Sequence, residues 1–168
     1  MKAKLIVEGR EFTIEINDPE LEKLLKPQKK TGYERVSPLD PYWAVDEFGV
    51  CQHLGEEKEV VDEIYDNANY YSDETVAENN ARADKLMRQL RRYAVEQRKY
   101  KLLWNKDYCN EKWSIVYDCK NCRLVTRKHW DEREAFVIYF DTEEIANLAV
   151  ETFHDELIWY FTEYKDSL

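Results

Sequence analysis

Alternating apolar and polar side chains mark residues 113–127 as a β-hairpin, folded around a Cys-Lys-Asn-Cys turn at residues 119–122. The apolar run at residues 135–140 predicts a third, buried strand. From Asp141 onward the spacing of apolar residues becomes helical, which predicts an amphipathic helix. The core face of that helix is formed by Ala146, Ala149, Val150, Phe153, Leu157 and Phe161.

Residues 42–93 form a degenerate copy of the same pattern. A strand led by Trp43, matching Trp113, meets a tight turn and a return strand. Further on, Tyr-Tyr-Ser-Asp-Glu-Thr-Val-Ala at residues 70–77 parallels Tyr-Phe-Asp-Thr-Glu-Glu-Ile-Ala at residues 139–146. In both, two aromatic residues end a strand and acidic residues fill the first turn of a helix, where they suit its dipole. The chain is therefore predicted to contain an internal repeat.

The helix boundaries and the acidic stretch between hairpin and helix complete this picture. Ser72 and Asp141 are the predicted N-caps, and the first helix is expected to run to about residue 101. Residues 56–66 are strongly acidic and are expected to form a loop or a short helix. Residues 33–36 are a candidate strand at the entrance of the first copy.

Before the repeat, the alternation of Phe12, Ile14 and Ile16 predicts an N-terminal hairpin. Asp18 as N-cap and Pro19 at the first helical position then predict a short helix that ends at Pro27. The polar residues 28–32 are the best linker candidate in the chain.

These elements predict an α+β fold made of two related units, each a β-hairpin and strand plus an α-helix, behind an N-terminal β-hairpin and short helix. The predicted bounds are residues 1–27 for the N-terminal piece, 33–104 for the first β-β-β-α unit and 108–168 for the second. One hairpin with one helix cannot bury both of its faces. The two units are therefore expected to pack as one domain.

Composition narrows the classes of function. The 168 residues are 43% hydrophobic and 14% aromatic, which is enough for a packed core, and the formal net charge is −10. Such a charge repels phosphate and disfavours direct nucleic-acid binding, but it suits a basic protein surface. No signal peptide and no membrane-length apolar run is visible, so a cytoplasmic location is expected, with no membrane partner. Oligomeric state is left open.

The Cys-Lys-Asn-Cys turn is the most specific chemical signal, because two thiolates at this spacing can bind one Zn²⁺. If the tips of the two hairpins pack together, a structural zinc site could be completed by the other copy. The predicted ligand set is Cys51, His53, Cys119 and Cys122, with Cys109 and His129 as alternatives. Unconnected thiols are the competing interpretation.

Charged residues give two candidate surfaces. Rows of carboxylates can imitate a phosphate backbone and occupy a basic groove of a nucleic-acid enzyme. The acids assigned to partner binding are Asp62, Glu63, Asp66, Asp73, Glu74, Asp131, Glu132 and Glu134. A basic stripe on the first repeat helix is the nucleic-acid-binding alternative, formed by Arg82, Lys85, Arg88, Arg92 and Lys99.

Catalysis has little support in the sequence. There is no Gly-rich phosphate loop, no metalloprotease His-Glu-x-x-His and no nucleophile elbow. His129 and His154 have carboxylates nearby in sequence, but no nucleophile stands out beside them. A non-enzymatic protein is expected.

Several stretches together resemble a family of small accessory proteins of phages and prophages of Gram-positive bacteria, mostly of unassigned function. They are Gly-Tyr-Glu-Arg-Val at residues 32–36, the Tyr-Tyr-Ser-Asp-Glu segment, the Arg-rich helix and the closing Tyr-Phe-Asp-Thr-Glu-Glu-Ile-Ala. The resemblance covers most of the chain and implies an accessory protein that works in the host cytoplasm.

Among such proteins, inhibitors of host defence are a leading class, and they include anti-CRISPR proteins. The expected function is inhibition of a host defence nuclease. The leading candidate for the binding partner is Cas9 or its guide-RNA complex. The alternatives are a nucleotide-sequestering or regulatory binding module, and a nucleic-acid-binding protein that uses the basic stripe.

Overall fold

The computed structural model describes residues 2–7, 10–15, 30–105 and 108–166. The chain divides into two compact parts, Met1–Thr31 and Gly32–Leu168. The first part contains an antiparallel hairpin, in which β1 (Lys2–Val7) pairs with β2 (Arg10–Glu15). The predicted N-terminal hairpin is confirmed. The short helix predicted to follow it lies outside the described residues.

The second part contains both copies of the pattern, named the first repeat (residues 33–104) and the second repeat (residues 108–168). The first repeat comprises β3 (Tyr42–Val45), β4 (Val50–His53), α1 (Lys58–Asp66) and α2 (Glu74–Glu96). A short strand pair, β5 (Trp104–Asn105) and β6 (Tyr108–Cys109), leads into the second repeat. The second repeat comprises β7 (Lys112–Asp118), β8 (Arg123–His129), α3 (Glu143–Thr152) and α4 (His154–Thr162). The α+β class is confirmed.

Two β-bridges place the repeats in the same register. Trp43 exchanges backbone hydrogen bonds with Tyr71, at 2.8 and 2.9 Å, and Trp113 exchanges the equivalent pair with Phe140, at 2.9 and 2.8 Å. The aligned octapeptides therefore correspond residue for residue. The third strand predicted at residues 135–140 is wrong, because only its last residue pairs. Phe136 lies in the left-handed region (φ 64°), which interrupts an extended run.

The helix caps lie one residue later than predicted. The side chain of Asp73 accepts the Val76 amide at 3.0 Å, and that of Thr142 accepts the Ile145 amide at 3.2 Å. Ser72, one of the two predicted caps, therefore stands just before its helix, as does Asp141.

Ser72 and Asp141 instead bind the segment that enters each repeat. The Ser72 amide donates to the Gly32 carbonyl at 2.7 Å. The Asp141 carboxylate accepts the amides of Lys99 and Tyr100, both at 2.6 Å. Equivalent positions thus bind the entering segment in both repeats, Ser72 through its backbone amide and Asp141 through its side-chain carboxylate.

Three other predictions need adjusting. The acidic stretch forms helix α1, which was one of its two predicted forms, but the strand predicted at residues 33–36 is absent. The first repeat helix ends at Glu96, short of the predicted residue 101. The helix of the second repeat is divided at Phe153 (φ −114°, ψ 22°), whose ring meets Tyr93 edge-on at 5.6 Å.

Helix α2 belongs to both cores. Its first turn packs Val76 and Ala77 against Tyr71 and the β3–β4 hairpin. Its later turns carry Leu86, Leu90 and Ala94 into a larger cluster with the second repeat. The other members of that cluster are Phe140, Ile145, Ala146, Ala149 and Leu157. Helix α2 therefore joins the two clusters, and the second repeat packs on a helix of the first.

Candidate partner-binding surface

Each repeat has a connecting segment between its hairpin and its bridging aromatic residue. In the first repeat this segment covers residues 54–70 and contains α1. In the second it covers residues 130–139 and is irregular. Six of the eight acids assigned to partner binding lie in these segments: Asp62, Glu63, Asp66, Asp131, Glu132 and Glu134.

Helix α1 is unusual because none of its residues is buried. Its acids Glu59, Glu63 and Asp66 are all exposed. At this spacing they lie on one face, with Cβ atoms about 5–6 Å apart from turn to turn. Exposed apolar surface accompanies them, since Val60 is 42% and Tyr65 39% exposed. A helix of this kind contributes little to the core and presents a row of negative charge to solvent.

One acid of α1 fastens the helix to the rest of the repeat. Asp62 forms an ion pair with Arg35, and the Arg35 guanidinium lies 4.1 Å from the centre of the Tyr65 ring. The hydrogen bond from Arg35 holds the pKa of Asp62 below its usual range. Asp62 is therefore an anchor, whereas Glu63 and Asp66 are available for contact. Glu59 completes the exposed row and was missing from the predicted set.

The remaining predicted acids have mixed roles. Asp73 caps α2, and Glu74 stands exposed in the first turn of the same helix. Asp131 and Glu132 are exposed in the second connecting segment. Glu134 donates its backbone amide to the Tyr139 hydroxyl at 2.8 Å. Capping accounts for Asp73, so the acids that remain for partner binding are concentrated in the connecting segments.

Exposed aromatic surface accompanies the second connecting segment too. Trp130 is 53% and Phe136 is 94% exposed. Phe136 stands at one side of an apolar groove of 260 Å³. The other walls of the groove are formed by side chains of α2, β7 and α4, among them Met87, Leu90, Ile115, Leu157 and Phe161. Acidic and aromatic side chains are thus combined in both segments.

A buried polar cluster at the base of the second hairpin was missed by sequence reasoning. Lys112 is fully buried and donates to the carbonyls of Asn110 (2.6 Å) and Trp130 (3.0 Å), with its ammonium 4.2 Å from the Trp104 ring centre. No sequence pattern singled out Lys112, because its burial depends on two backbone carbonyls and on the Trp104 ring outside the hairpin.

The same cluster contains a serine and histidine pair. Ser114 Oγ lies 2.8 Å from His129 Nε2, and His129 Nδ1 lies 3.9 Å from Glu134 Oε1. The order resembles a hydrolytic triad, but 3.9 Å exceeds hydrogen-bond length. Ser114 is 2% exposed, and a nucleophile must reach its substrate. The pair is accordingly a satisfied buried hydrogen bond.

The base of the first hairpin has the equivalent histidine in a different setting. His53 Nδ1 lies 2.8 Å from Glu56 Oε1, and its ring stacks on Tyr42 at 5.1 Å. Tyr42 in turn stacks on Tyr70 at 4.6 Å. Burial, reinforced by Glu56, raises the pKa of Tyr42 to about 12. These tyrosines border a cavity of 390 Å³ that also includes Arg35 and other residues of the entering segment.

The structure does not bring the predicted zinc ligands together. Among the described side chains, no three His, Cys, Asp or Glu residues form a metal-holding group. Cys51 is not the counterpart of Cys122. It pairs with Ala44 as Arg127 pairs with Ser114, so Cys51 corresponds to Arg127 in the return strand and not to a residue of the turn. Cys51 donates to Asp46 at 2.9 Å, and this carboxylate raises the thiol pKa.

The alternative ligands are also far from the hairpin tip. His129 lies at the base of the second hairpin, opposite Lys112, while Cys119 and Cys122 are exposed in the turn at the other end. Seven strand residues at about 3.3 Å each separate the two ends by roughly 20 Å. Cys109 ends β6, which precedes that base.

The basic stripe is exposed, but much of its charge is compensated. Arg82 makes a two-pronged pair with Glu156 at 2.8 and 3.0 Å. Arg92 pairs with Glu96 at 3.8 Å, and Lys99 pairs with Glu144 at 3.6 Å. The other two members, Lys85 and Arg88, are exposed on α2. Paired cations release fewer counterions on binding phosphate, so the stripe is weakened as a nucleic-acid surface.

Comparison of the chain with protein-family models, with curated proteins and with solved structures finds no match in any of the three. Within the described residues, no helix combines the length and apolar character needed to cross a bilayer. The function must therefore be argued from the chemistry of this chain.

Proposed function

We propose that this protein is a phage-encoded, non-enzymatic inhibitor of a host defence nuclease, with a type II Cas9 or its guide-RNA complex as the target. It binds by protein contact in the bacterial host cytoplasm. The observation that carries the proposal is helix α1, an exposed helix with no buried residue and a row of carboxylates at Glu59, Glu63 and Asp66.

A nuclease that holds nucleic acid presents a basic groove, and a row of carboxylates is complementary to it. The long-range field of a chain of net charge −10 adds to the local attraction and accelerates encounter. Exposed Val60 and Tyr65 beside the acids supply the apolar contact that a charged patch alone lacks. The resemblance to phage accessory proteins supports the same proposal.

The direct test combines a pull-down with a DNA-cleavage assay. Untagged protein is added in excess to Cas9 before and after guide RNA is loaded. We expect a stable complex and reduced cleavage. The proposal would be contradicted if no complex formed in either order of addition and cleavage stayed unimpaired at excess protein.

Two matched double variants locate the contact. The test variant, Glu63→Lys with Asp66→Lys, reverses two exposed acids in the last turns of α1, where lysine suits the helix dipole. The control, Glu151→Lys with Glu163→Lys, makes the same charge change at the ends of α3 and α4. We expect the test variant to weaken binding at least tenfold and the control less than threefold. Equal effects would mean that only net charge matters.

A small-ligand function is the second candidate, because of the cavity beside Tyr42 and Tyr70. Its 390 Å³ suits a small molecule, the stacked tyrosines offer aromatic surface, and Lys58 offers positive charge, whereas Arg35 is already paired with Asp62. This is the site that a nucleotide-sequestering or regulatory module would use. Mass spectrometry of protein denatured after gentle purification tests it: a stoichiometric small molecule supports it, and an empty spectrum from host-expressed protein counts against it.

A further inference from the structure

The tip of the second hairpin extends beyond anything in the first. The innermost pair of the first hairpin, Val45 with Val50, corresponds to Ile115 with Thr126. Three more residue pairs follow in the second hairpin before the turn. At about 3.3 Å per residue this carries the Cys119 and Cys122 turn roughly 10 Å further out. Both thiols are exposed there.

The turn that holds the two thiols is internally braced. The Asp118 carboxylate accepts the Lys120 amide at 3.1 Å, the Asn121 amide at 3.3 Å and the Asn121 side-chain amide at 2.6 Å. These bonds fix the loop around the cysteines. A fixed loop loses little conformational entropy when its side chains bind a ligand.

Both thiols lie against backbone carbonyls of the turn, with Cys119 Sγ 4.0 Å from the Tyr117 oxygen. Cys122 Sγ lies 3.7 Å from the Cys119 carbonyl oxygen, so its side chain turns back across the loop. Tyr117 lies beside both cysteines. Two thiols at Cys-x-x-Cys spacing in one turn can supply half of a tetrahedral zinc site.

The other half is not supplied by the described part of this chain. No third metal-ligating side chain joins the two cysteines among the described residues, and Cys51 is engaged with Asp46. We propose that two copies of this chain bind one Zn²⁺ between their hairpin tips, each contributing Cys119 and Cys122. Four thiols lose their protons, and the four thiolates bind the ion.

The charges at the tip suit this arrangement. One Zn²⁺ with four thiolates carries a net charge of −2. Each tip supplies the cations Lys120 and Arg123 against the single carboxylate of Asp118, and Arg123 Nε lies 3.7 Å from that carboxylate. Two tips therefore offset the charge of the metal centre. The net charge of −10 on each chain opposes the approach, so moderate salt should favour the dimer.

The experiment uses full-length untagged protein, made metal-free and kept reduced with a phosphine. Zn²⁺ alone is titrated while light scattering after size exclusion reports the mass. We expect the mass to double from 20.3 kDa with one zinc bound per two chains, and EDTA to reverse the change. Co²⁺ in place of zinc should give the intense thiolate-to-metal absorption of a four-sulfur tetrahedral site.

Variants assign the ligands. Cys119→Ser with Cys122→Ser should abolish both metal uptake and the dimer, whereas Cys51→Ser and Cys109→Ser should leave both unchanged. Several results would overturn the proposal: one zinc per monomer, no zinc uptake by the reduced protein, or a dimer that persists without metal or without Cys119 and Cys122. Loss of zinc on Cys51→Ser or His53→Ala would place the ligands within one chain instead.

Discussion

The hairpin of the first repeat closes after four residue pairs, whereas that of the second continues for seven. The connecting segments differ in the opposite sense, because only the first is long enough to contain a helix, α1. Where the repeats agree, the residues build the frame: a bridging Trp, a pair of buried aromatics and a capped helix that starts with an aliphatic residue and Ala. The two features that differ most in length, the tip of the second hairpin (residues 116–125) and helix α1, contain no buried residue. The differences are therefore where we expect function.

The equivalent bridging aromatics give the largest expected effect. Phe140 is 1% exposed within the larger core cluster, whereas Tyr71 is 7% exposed in the smaller one. Phe140→Ala should lower the free energy of unfolding by about 3–5 kcal/mol, and Tyr71→Ala by roughly 2 kcal/mol. Urea unfolding measures both. Equal losses would mean that the two repeats contribute equally to the core.

Gly32 sharpens the comparison of how the chain enters each repeat. It has φ +93°, and a Cβ there would lie 2.7 Å from Cγ2 of buried Val76. Gly32→Ala should therefore destabilise the protein by about 2–3 kcal/mol through strain and overlap together. Gly55 (φ +70°) has open space around its Cβ position, so Gly55→Ala should lose only about 1 kcal/mol. Thermal unfolding that ranks the two variants in the reverse order would contradict this packing.

The caps test whether the two repeats are equivalent residue by residue. Asp73→Ala and Thr142→Ala should each lower stability by about 1 kcal/mol, because each removes the acceptor of a first-turn amide. Ser72→Ala, one residue earlier, should have a smaller effect, since it removes only the hydroxyl's bond to the half-buried Glu34 (3.1 Å) and keeps the backbone bond to Gly32. Denaturant unfolding of the three variants checks the assignment. A larger loss of stability for Ser72→Ala than for Asp73→Ala would contradict the assignment of Asp73 as the N-cap of α2.

The smallest expected effect concerns the ion pair that joins α2 to α4. The hydrogen bond from Arg82 lowers the pKa of Glu156. A depressed carboxyl pKa stabilises the fold above the usual glutamate pKa and loses that contribution as pH falls through the folded value. Both side chains are more than 40% exposed, so the effect is about 0.5 kcal/mol. The difference in melting temperature between wild type and Glu156→Gln should shrink from pH 7 to pH 3. A pH-independent difference would exclude this origin.

The frame was predictable because it rests on local patterns. Strand alternation located the N-terminal hairpin and the hairpin of the second repeat, and the octapeptide parallel aligned Tyr71 with Phe140 from the sequence alone. The N-cap of α2 was predicted one residue too early because Ser72 and Asp73 are both good cap formers. Only the contacts of the entering segment decide between them. The burial of Lys112 could not be predicted, since it depends on carbonyls at Asn110 and Trp130 and on the distant Trp104 ring. The candidate surface was predicted only in part. The sequence identified most of its acids, but tertiary packing decides which acid caps a helix, which forms an ion pair and which faces solvent.

Hydrogen exchange on a complex with Cas9 tests the central claim, that the connecting segments bind while the shared frame supports them. Helix α1 has no buried residue, so its amides should exchange rapidly in the free protein. On binding, we expect the strongest new protection in residues 56–66, with little change in α3. Protection confined to the exposed stripe of α2, with α1 still exchanging freely, would contradict the account.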